Sequence, residues 1–445
     1  MATLIVELDR TKPTSLGLQL SGQVRARITG GHLAPGDRLP SSRALARDLG
    51  VARSVTEQAY AQLVAEGWLE GRHGSGTFVA ASGPTTAPQA PRHPTAAPER
   101  PLVRLDSGTP WIDDRHRAAW RRAWREVSAA APPRGYDDPR GLPELRAELA
   151  ARLARTRGLD VHPDEVLVTA GTTDGLRHLM TAVAPGDVAV EDPGYRAAVE
   201  TIRATGRGIV DLPALRAVTD LRGVVATYVT PAHQHPLGPP MSGADRLALL
   251  AAARTADALV IEDDYDSEFR YDVAPIPALA SLDRDRVAYL GTASKAVAPS
   301  LRLGWLVAPE AVRERVERHR AITHDAASWP VQRAFLSLLR DGYVDRVVRS
   351  ARRVYADRAT RVAAALTPYV EAPVAGMYAA VVLPRPLALA AHRAARDAGF
   401  DAPLLSDYCR TADLHGLIIG FGGCTDAELD RALTALAGAL GGRNV

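Results

Sequence analysis

Lysine is nearly missing from this chain. Among its 54 basic side chains only Lys12 and Lys295 are lysines; the rest are arginines. Arginine serves wherever a solvated positive charge is enough. What it cannot supply is a primary amine that sheds its proton and condenses with an aldehyde, so a lone lysine in this background is a candidate for covalent chemistry. Cysteine is equally scarce: Cys409 and Cys424 form no CxxC pair, which argues against a disulfide framework and fits a reducing cytosol. No apolar run approaches the ~20 residues of a membrane span. Met1-Ala-Thr-Leu-Ile-Val-Glu7 has neither the basic start nor the apolar stretch of a signal peptide. The expectation is a soluble cytoplasmic protein without a membrane partner. Strong charge of one sign is also lacking, since the net charge is +3 over 445 residues. Attraction to nucleic acid must therefore come from a local patch.

Such a patch lies near the start. Residues 10–79 hold nine Lys/Arg against five Asp/Glu, and apolar residues recur at helical spacing in Gly17–Ile28, which Gly30-Gly31 ends. Pro35-Gly36-Asp37 is a turn, and Ser41 or Ser42 caps a second helix, Arg43 to Asp48. After the turn Leu49-Gly50-Val51 a third helix runs from about Arg53 to Ala65. Helix, glycine turn, helix is the spacing of a helix-turn-helix, whose second helix enters the major groove. The segment Trp68–Val79, loosened by Gly71, Gly74 and Gly76, reads as a two-stranded wing.

Residues 80–103 contain six prolines and hardly any large apolar side chain, the composition of a semi-extended linker. Beyond it strands and helices alternate: Glu165–Thr169, Asp187–Glu191, Gly223–Val229, Ala258–Ile261 and Arg286–Gly291 read as strands with helical segments between them. That alternation predicts a mostly parallel sheet covered on both faces, with ligands beyond the carboxyl ends of its strands. Helical periodicity follows Gly304, and Tyr378–Leu383 and Gly416–Phe421 read as strands of a smaller subdomain over about 311–445.

Each predicted strand end delivers polar residues. Gly171, Thr172 and Thr173 open a helix whose free amides make an anion seat, which Thr292, Ser294 and Arg302 complete. Tyr195 offers an aromatic face. Asp263 ends an apolar strand where it can hold a pyridine nitrogen protonated, and Tyr265 can donate to a ring hydroxyl. With an imine-forming Lys295 beside a phosphate clamp, this set points to pyridoxal 5'-phosphate (PLP).

Two resemblances bear on the whole chain. Leu33–Thr56, Tyr60–Trp68 and His73–Val79 resemble the winged helix-turn-helix of the GntR family of bacterial regulators. The resemblance implies DNA contacts from Ser41, Arg43, Arg53, Ser54 and Thr56, and wing contacts from His73 and Gly74; Ala52 stands where relatives place a capping Ser. Residues 104–445 resemble a fold-type-I aminotransferase, through Tyr136–Leu145, Glu191–Tyr195, Thr230–Gly238, Ile261–Tyr271 and Leu290–Lys295. Together the two parts resemble the MocR/GabR type of transcriptional regulator. The fold class implied is a winged-helix N-terminal domain followed by an α/β fold-type-I aminotransferase-like domain. The function implied is a homodimer that binds double-stranded operator DNA, with Lys295 as the Schiff-base lysine. Its effector would be an amine, an amino acid or PLP itself. The alternative is a working aminotransferase with an accessory DNA-binding domain. Against it, Ile418 or Ile419 occupies the late-strand place where such enzymes hold the substrate carboxylate with an arginine, leaving Arg196 or Arg410 as substitutes. His235 stands where ordinary aminotransferases have Asn before Pro-Thr-Gly.

Overall fold

A computed structural model describes residues 4–72, 75–80, 101–112, 117–271, 276–370 and 374–441. His73 and Gly74 of the expected wing tip, and residues 81–100 of the expected linker, lie outside them. The chain divides into two compact units, Met1–Ala97 and Pro98–Val445.

In the first unit, helices α1 (Leu16–Thr29), α2 (Ser42–Asp48) and α3 (Arg53–Ala65) precede a hairpin of β1 (Leu69–Arg72) and β2 (Gly76–Val79). Ser15 and Ser41 cap α1 and α2 by accepting from Leu18 N and Ala44 N, whereas Ala52 at the start of α3 makes no side-chain cap. Leu20, Val24, Leu45, Ala59, Leu63 and Val79 close one small core, and the Tyr60 hydroxyl donates to Pro40 O at 2.9 Å. Thr56 corrects the expectation of a DNA contact. It is fully buried, and its hydroxyl is engaged with the Ser42 and Arg53 carbonyls at 2.9 Å each. The residue ties α3 to α2, as a β-branched hydroxyl facing a neighbouring helix can.

The second unit contains β3 (Val103–Arg104), β4 (Val166–Thr169), β5 (Asp187–Asp192), β6 (Ile209–Pro213), β7 (Val224–Val229), β8 (Leu259–Asp264), β9 (Val287–Thr292), β10 (Gly304–Val307), β11 (Tyr378–Val382), β12 (Phe400–Asp401) and β13 (Gly416–Gly420). Seven of these make one sheet in the order β4-β10-β9-β8-β7-β5-β6. All its pairs are parallel except those of β10, which runs antiparallel to both neighbours. Strand period decides which face each residue serves: Val260 of β8 joins the core on one side of the sheet and Ile261 the core on the other. Two of the seven strands were not expected. β6 carries Asp211 and Pro213 in a five-residue edge run, and β10 is four residues long and begins at a glycine; both are too short for periodicity to separate strand from loop.

The helices include α4 (Arg117–Ala129), α5 (Pro143–Arg157), α6 (Thr172–Ala182) and α7 (Arg196–Arg203), the last two starting just beyond the carboxyl ends of β4 and β5. Pro143 sits at the N-terminal turn of α5 and Gly158 ends it in the left-handed region. The smaller subdomain is not built from the C-terminal third alone. β11 pairs antiparallel with β13, but β12 pairs parallel with β3. The residues after the proline-rich stretch thus belong to the same small sheets as residues 400–420. No helix among the described residues is long and apolar enough to cross a membrane.

Candidate cofactor site

A cavity of about 320 Å³ opens at the carboxyl edge of the sheet. Its wall includes Lys295, Asp263, Tyr265, Tyr195, Thr172, Thr173, Thr292, Ser294 and Arg302, so residues far apart in sequence meet in one place because parallel strands end on one side. Gly171 supports this wall from behind. It caps α6 at φ +106, and a Cβ there would lie 3.1 Å from the Arg302 guanidinium. Only glycine combines that backbone with that closeness. Arg302 is itself left-handed at φ +50 and donates to Thr173 Oγ1 at 3.2 Å. Amides at the start of α6, two threonines and a guanidinium form a seat for a phosphate.

Lys295 Nζ donates to Gly108 O at 2.6 Å. Burial lowers the lysine's pKa, opposed by the nearby Asp266, Asp106 and Asp263 carboxylates, and so enlarges the fraction carrying a free amine. Asp263 is buried, and burial pushes its carboxyl up to about 7. The Tyr228 hydroxyl donates to its Oδ2, while Oδ1 is buried with no hydrogen-bond partner. A buried oxygen of this kind calls for a donor, and the protonated nitrogen of a pyridine ring would be one. The residues present therefore fit PLP.

Tyr265 lines the cavity, but its hydroxyl is already occupied: it lies 3.0 Å from His233 O, 3.2 Å from His233 Nδ1 and 2.8 Å from the Tyr378 hydroxyl. Its single hydrogen is thus contested before any ring oxygen arrives. His233 in turn pairs with Asp266 at 2.6 Å, and Gly376 at φ +71 keeps that pair clear, since a Cβ would come within 2.7 Å of the imidazole.

Several contributors escaped the sequence reading. Asp106, Ser107 and Gly108 lie far before Lys295 in the chain and face it only after β3 joins the small sheet. Tyr228 had a signal: it is a ring with a polar tip one residue before the carboxyl end of a mostly apolar strand. The substitute cations fare less well. Arg410 is spent on Asp211 Oδ1 at 2.5 Å and on the Val190 and Glu191 carbonyls, and Arg196 lies over the Tyr408 ring at 6.0 Å. Neither lines the cavity; besides Arg302, the arginine that does is Arg104, paired with Asp106 at 2.6 Å. Ile418 and Ile419 are fully buried in the hydrophobic core. Elsewhere, Asp174, His178 and Asp325 cluster closely enough to suggest a cation, but Arg177 already bridges the two carboxylates at 2.6 Å each.

In the N-terminal unit, Ser41, Arg43, Arg53 and Ser54 are exposed, Arg53 in an ion pair with Glu57 at 2.7 Å.

This fold and site define an aminotransferase-like unit, and comparison with known families agrees. Residues 100–436 match the model of aminotransferase class I and II, and residues 16–79 match that of bacterial regulatory proteins of the gntR family. The chain belongs to the HTH-type transcriptional regulators of the MocR/GabR type, in which a gntR-family unit is joined to an aminotransferase-like one. It is 34% identical over 457 residues to the HTH-type pyridoxine biosynthesis transcriptional regulator PdxR of Corynebacterium glutamicum, covering 99% of each chain. It is 34% identical to the probable rhizopine catabolism regulatory protein MocR of Rhizobium meliloti, covering 79% of this chain and 77% of that one. Among solved structures it is similar to an archaeal alanine:glyoxylate aminotransferase, with a TM-score of 0.68, 26% identity, and coverage of 77% of this chain and 91% of that one. The aminotransferase class I and II fold implies PLP.

Proposed function

We propose that this regulator holds PLP on Lys295 and uses the site to sense a small molecule, as a homodimer whose two N-terminal units grip an operator. The observation that carries the reading is the buried, unpartnered Asp263 Oδ1 in one cavity with a buried Lys295 and the Arg302 seat. When bound, PLP would supply an aldehyde carbon for amines and an electron-withdrawing ring. The chain's own residues do the rest. Lys295 offers the amine, Asp263 holds a proton at the ring nitrogen, and Thr172, Thr173 and Arg302 anchor the phosphate. Tyr195 supplies a ring face. The effector is an amine, an amino acid or PLP itself; full-length similarity to a regulator named for pyridoxine biosynthesis favours PLP. A ligand that binds two arrangements of the dimer unequally would shift operator affinity, by no more than the difference in its binding free energy to the two.

The test joins spectroscopy to DNA binding: the purified protein should show the visible band of lysine-bound PLP and bind an operator more tightly than random DNA. Arg43→Ala and Arg53→Ala should each weaken operator binding, and the one that reads a guanine should cost about 1–3 kcal/mol and relax sequence preference. Equal affinity for operator and random DNA at moderate salt would leave only a non-specific anchor.

Transamination of ordinary α-amino acids should be slow. Ile418 and Ile419 are buried and offer no donor, and a carboxylate desolvated there without a partner costs several kcal/mol. Holo-protein mixed with a panel of amino acids should release little keto acid; release over many turnovers would establish a working aminotransferase instead.

A further inference from the structure

A second cavity, of about 240 Å³, is built from β5, β6 and β7 and from the segments that follow β6 and β7. None of its lining residues belongs to the Lys295 cavity. Leu215, Arg216, Pro239 and Pro240 are exposed and make its rim, while Glu191, Val229, Thr230 and Gln234 are buried. Strand period puts Glu191 on the same face of β5 as Ala189, the side of the sheet where Val229 is packed with Leu212, Val218 and Met241. A mostly apolar cavity thus holds one buried carboxyl, 7% exposed. We propose that this cavity is a ligand site of its own and takes a small organic cation, an amine whose ammonium group meets the Glu191 carboxylate while its hydrocarbon body lies against Leu212, Val218, Val229 and Met241. The assignment goes beyond the PLP reading and does not depend on it.

The surroundings of the carboxyl carry the argument. Thr230 N and Thr230 Oγ1 both donate to Glu191 Oε2 at 2.9 Å, so the residue is held by neutral donors. Among the described residues no positive charge acts on it, and burial pushes the carboxyl up to about 7 against the pull of Thr230 and Gln234. The other acid of the lining, Asp245, sits in the first turn of α8 (Gly243–Ala256), where the Ser242 hydroxyl donates to it at 2.6 Å. Arg216, the one cation of the lining, is exposed at the rim. A buried carboxylate without a cation is costly, and a ligand ammonium would supply the partner. The carboxyl is also joined to the cofactor cavity: Thr230 Oγ1, which donates to Glu191, accepts from His235 N at 2.9 Å, and His235 lines the wall around Lys295.

The probe is N-methylpiperidinium, which carries a charge, one N–H and a compact hydrocarbon ring. As a tertiary amine it cannot condense with an aldehyde, so imine chemistry at Lys295 does not enter the reading. A ligand-observed NMR titration of the full-length protein at about pH 8, where the carboxyl is ionised, should show saturable binding with a Kd of about 1 mM. Glu191→Gln keeps the shape and leaves Thr230 an oxygen to donate to; it should weaken binding about tenfold or more. Met241→Trp, which fills the cavity from its wall, should abolish binding. Cyclohexanol, a neutral ring of similar size, should bind the wild type about tenfold more weakly than the cation.

The proposal is overturned if the probe does not saturate the wild type below about 50 mM, if Glu191→Gln binds it as the wild type does, or if cyclohexanol binds equally well. Unchanged binding to Met241→Trp would place the probe elsewhere and has the same force. Should Glu191→Gln fail to fold, Met241→Trp and the cyclohexanol comparison decide the matter. A wild-type protein with no visible PLP band would remove the cofactor reading and leave this site standing.

Discussion

Replacing Lys295 with alanine should abolish covalent attachment of PLP. The protein offers an unusually clean test, because Lys12 is the only other lysine in the sequence and belongs to the first compact unit. Borohydride reduction of wild-type protein followed by peptide mapping should place the cofactor on the peptide holding Lys295 and leave Lys12 unlabelled. Lys295→Ala should retain no label after reduction and dialysis, and its visible band should vanish. An adduct that survives in the variant would refute the lysine assignment. The companion Asp263→Ala should keep the attachment but release PLP faster, since an unpaired ring nitrogen tends to lose its proton. The two variants thus separate bond formation from ring retention.

Arg157→Ala should destabilise the C-terminal unit by about 3–5 kcal/mol. Arg157 Nε lies 2.6 Å from Asp264 Oδ2, with the two side chains 2% and 3% exposed. The contact is an ion pair rather than an aligned hydrogen bond, since no guanidinium nitrogen of Arg157 has a hydrogen-bond partner. The charge of Arg157 balances a crowded strand end: Tyr289 donates to the same Asp264 oxygen at 2.6 Å, and Glu262 sits two residues earlier, its carboxyl pushed up to about 7 by burial and Asp264. Removing the cation leaves a buried carboxylate uncompensated, and the cost of that exceeds the modest worth of the pair itself. Denaturant unfolding followed by a probe in the C-terminal unit measures it. A loss below about 1 kcal/mol would show that water reaches the pair. Asp264 adjoins Asp263 on β8, so the same variant should also weaken PLP retention, though less than Asp263→Ala.

The contrast between Lys295 and Arg157 shows how much of this protein was legible in its sequence. Lys295 stood out by residue type, because scarcity of lysine makes its chemistry conspicuous without any coordinate. Arg157 is one arginine among many, and nothing in its surroundings in sequence distinguishes a fully buried cation from a solvated one. The same division runs through the site. Gly171, Thr172, Thr173, Asp263 and Arg302, all but the first of which line one cavity, were singled out: the first four because residues at the carboxyl ends of parallel strands emerge at one edge, and Arg302 because a planar fork follows Lys295 by seven residues. Tyr228, Ser107 and Gly108 were not, since their approach depends on strand register and on the docking of β3 against β12.

By itself, the sequence determined the elements and their chemistry. Helical and strand periods, glycine and proline punctuation and the lone lysine are local properties, and local physics suffices to read them. It also determined that a gntR-type helix-turn-helix unit precedes an aminotransferase-like one, because each carries its own contiguous signature. Only the tertiary structure decided which polar atoms are left without partners and which hydroxyls are already used. Thr56 turned out to join two helices, Arg410 to hold a strand edge, and Tyr265 to face His233 and Tyr378, while His235 was left with an unmet nitrogen. Hydrogen-bond satisfaction depends on every neighbour in three dimensions at separations of a few ångström, and that is information no one-dimensional pattern contains.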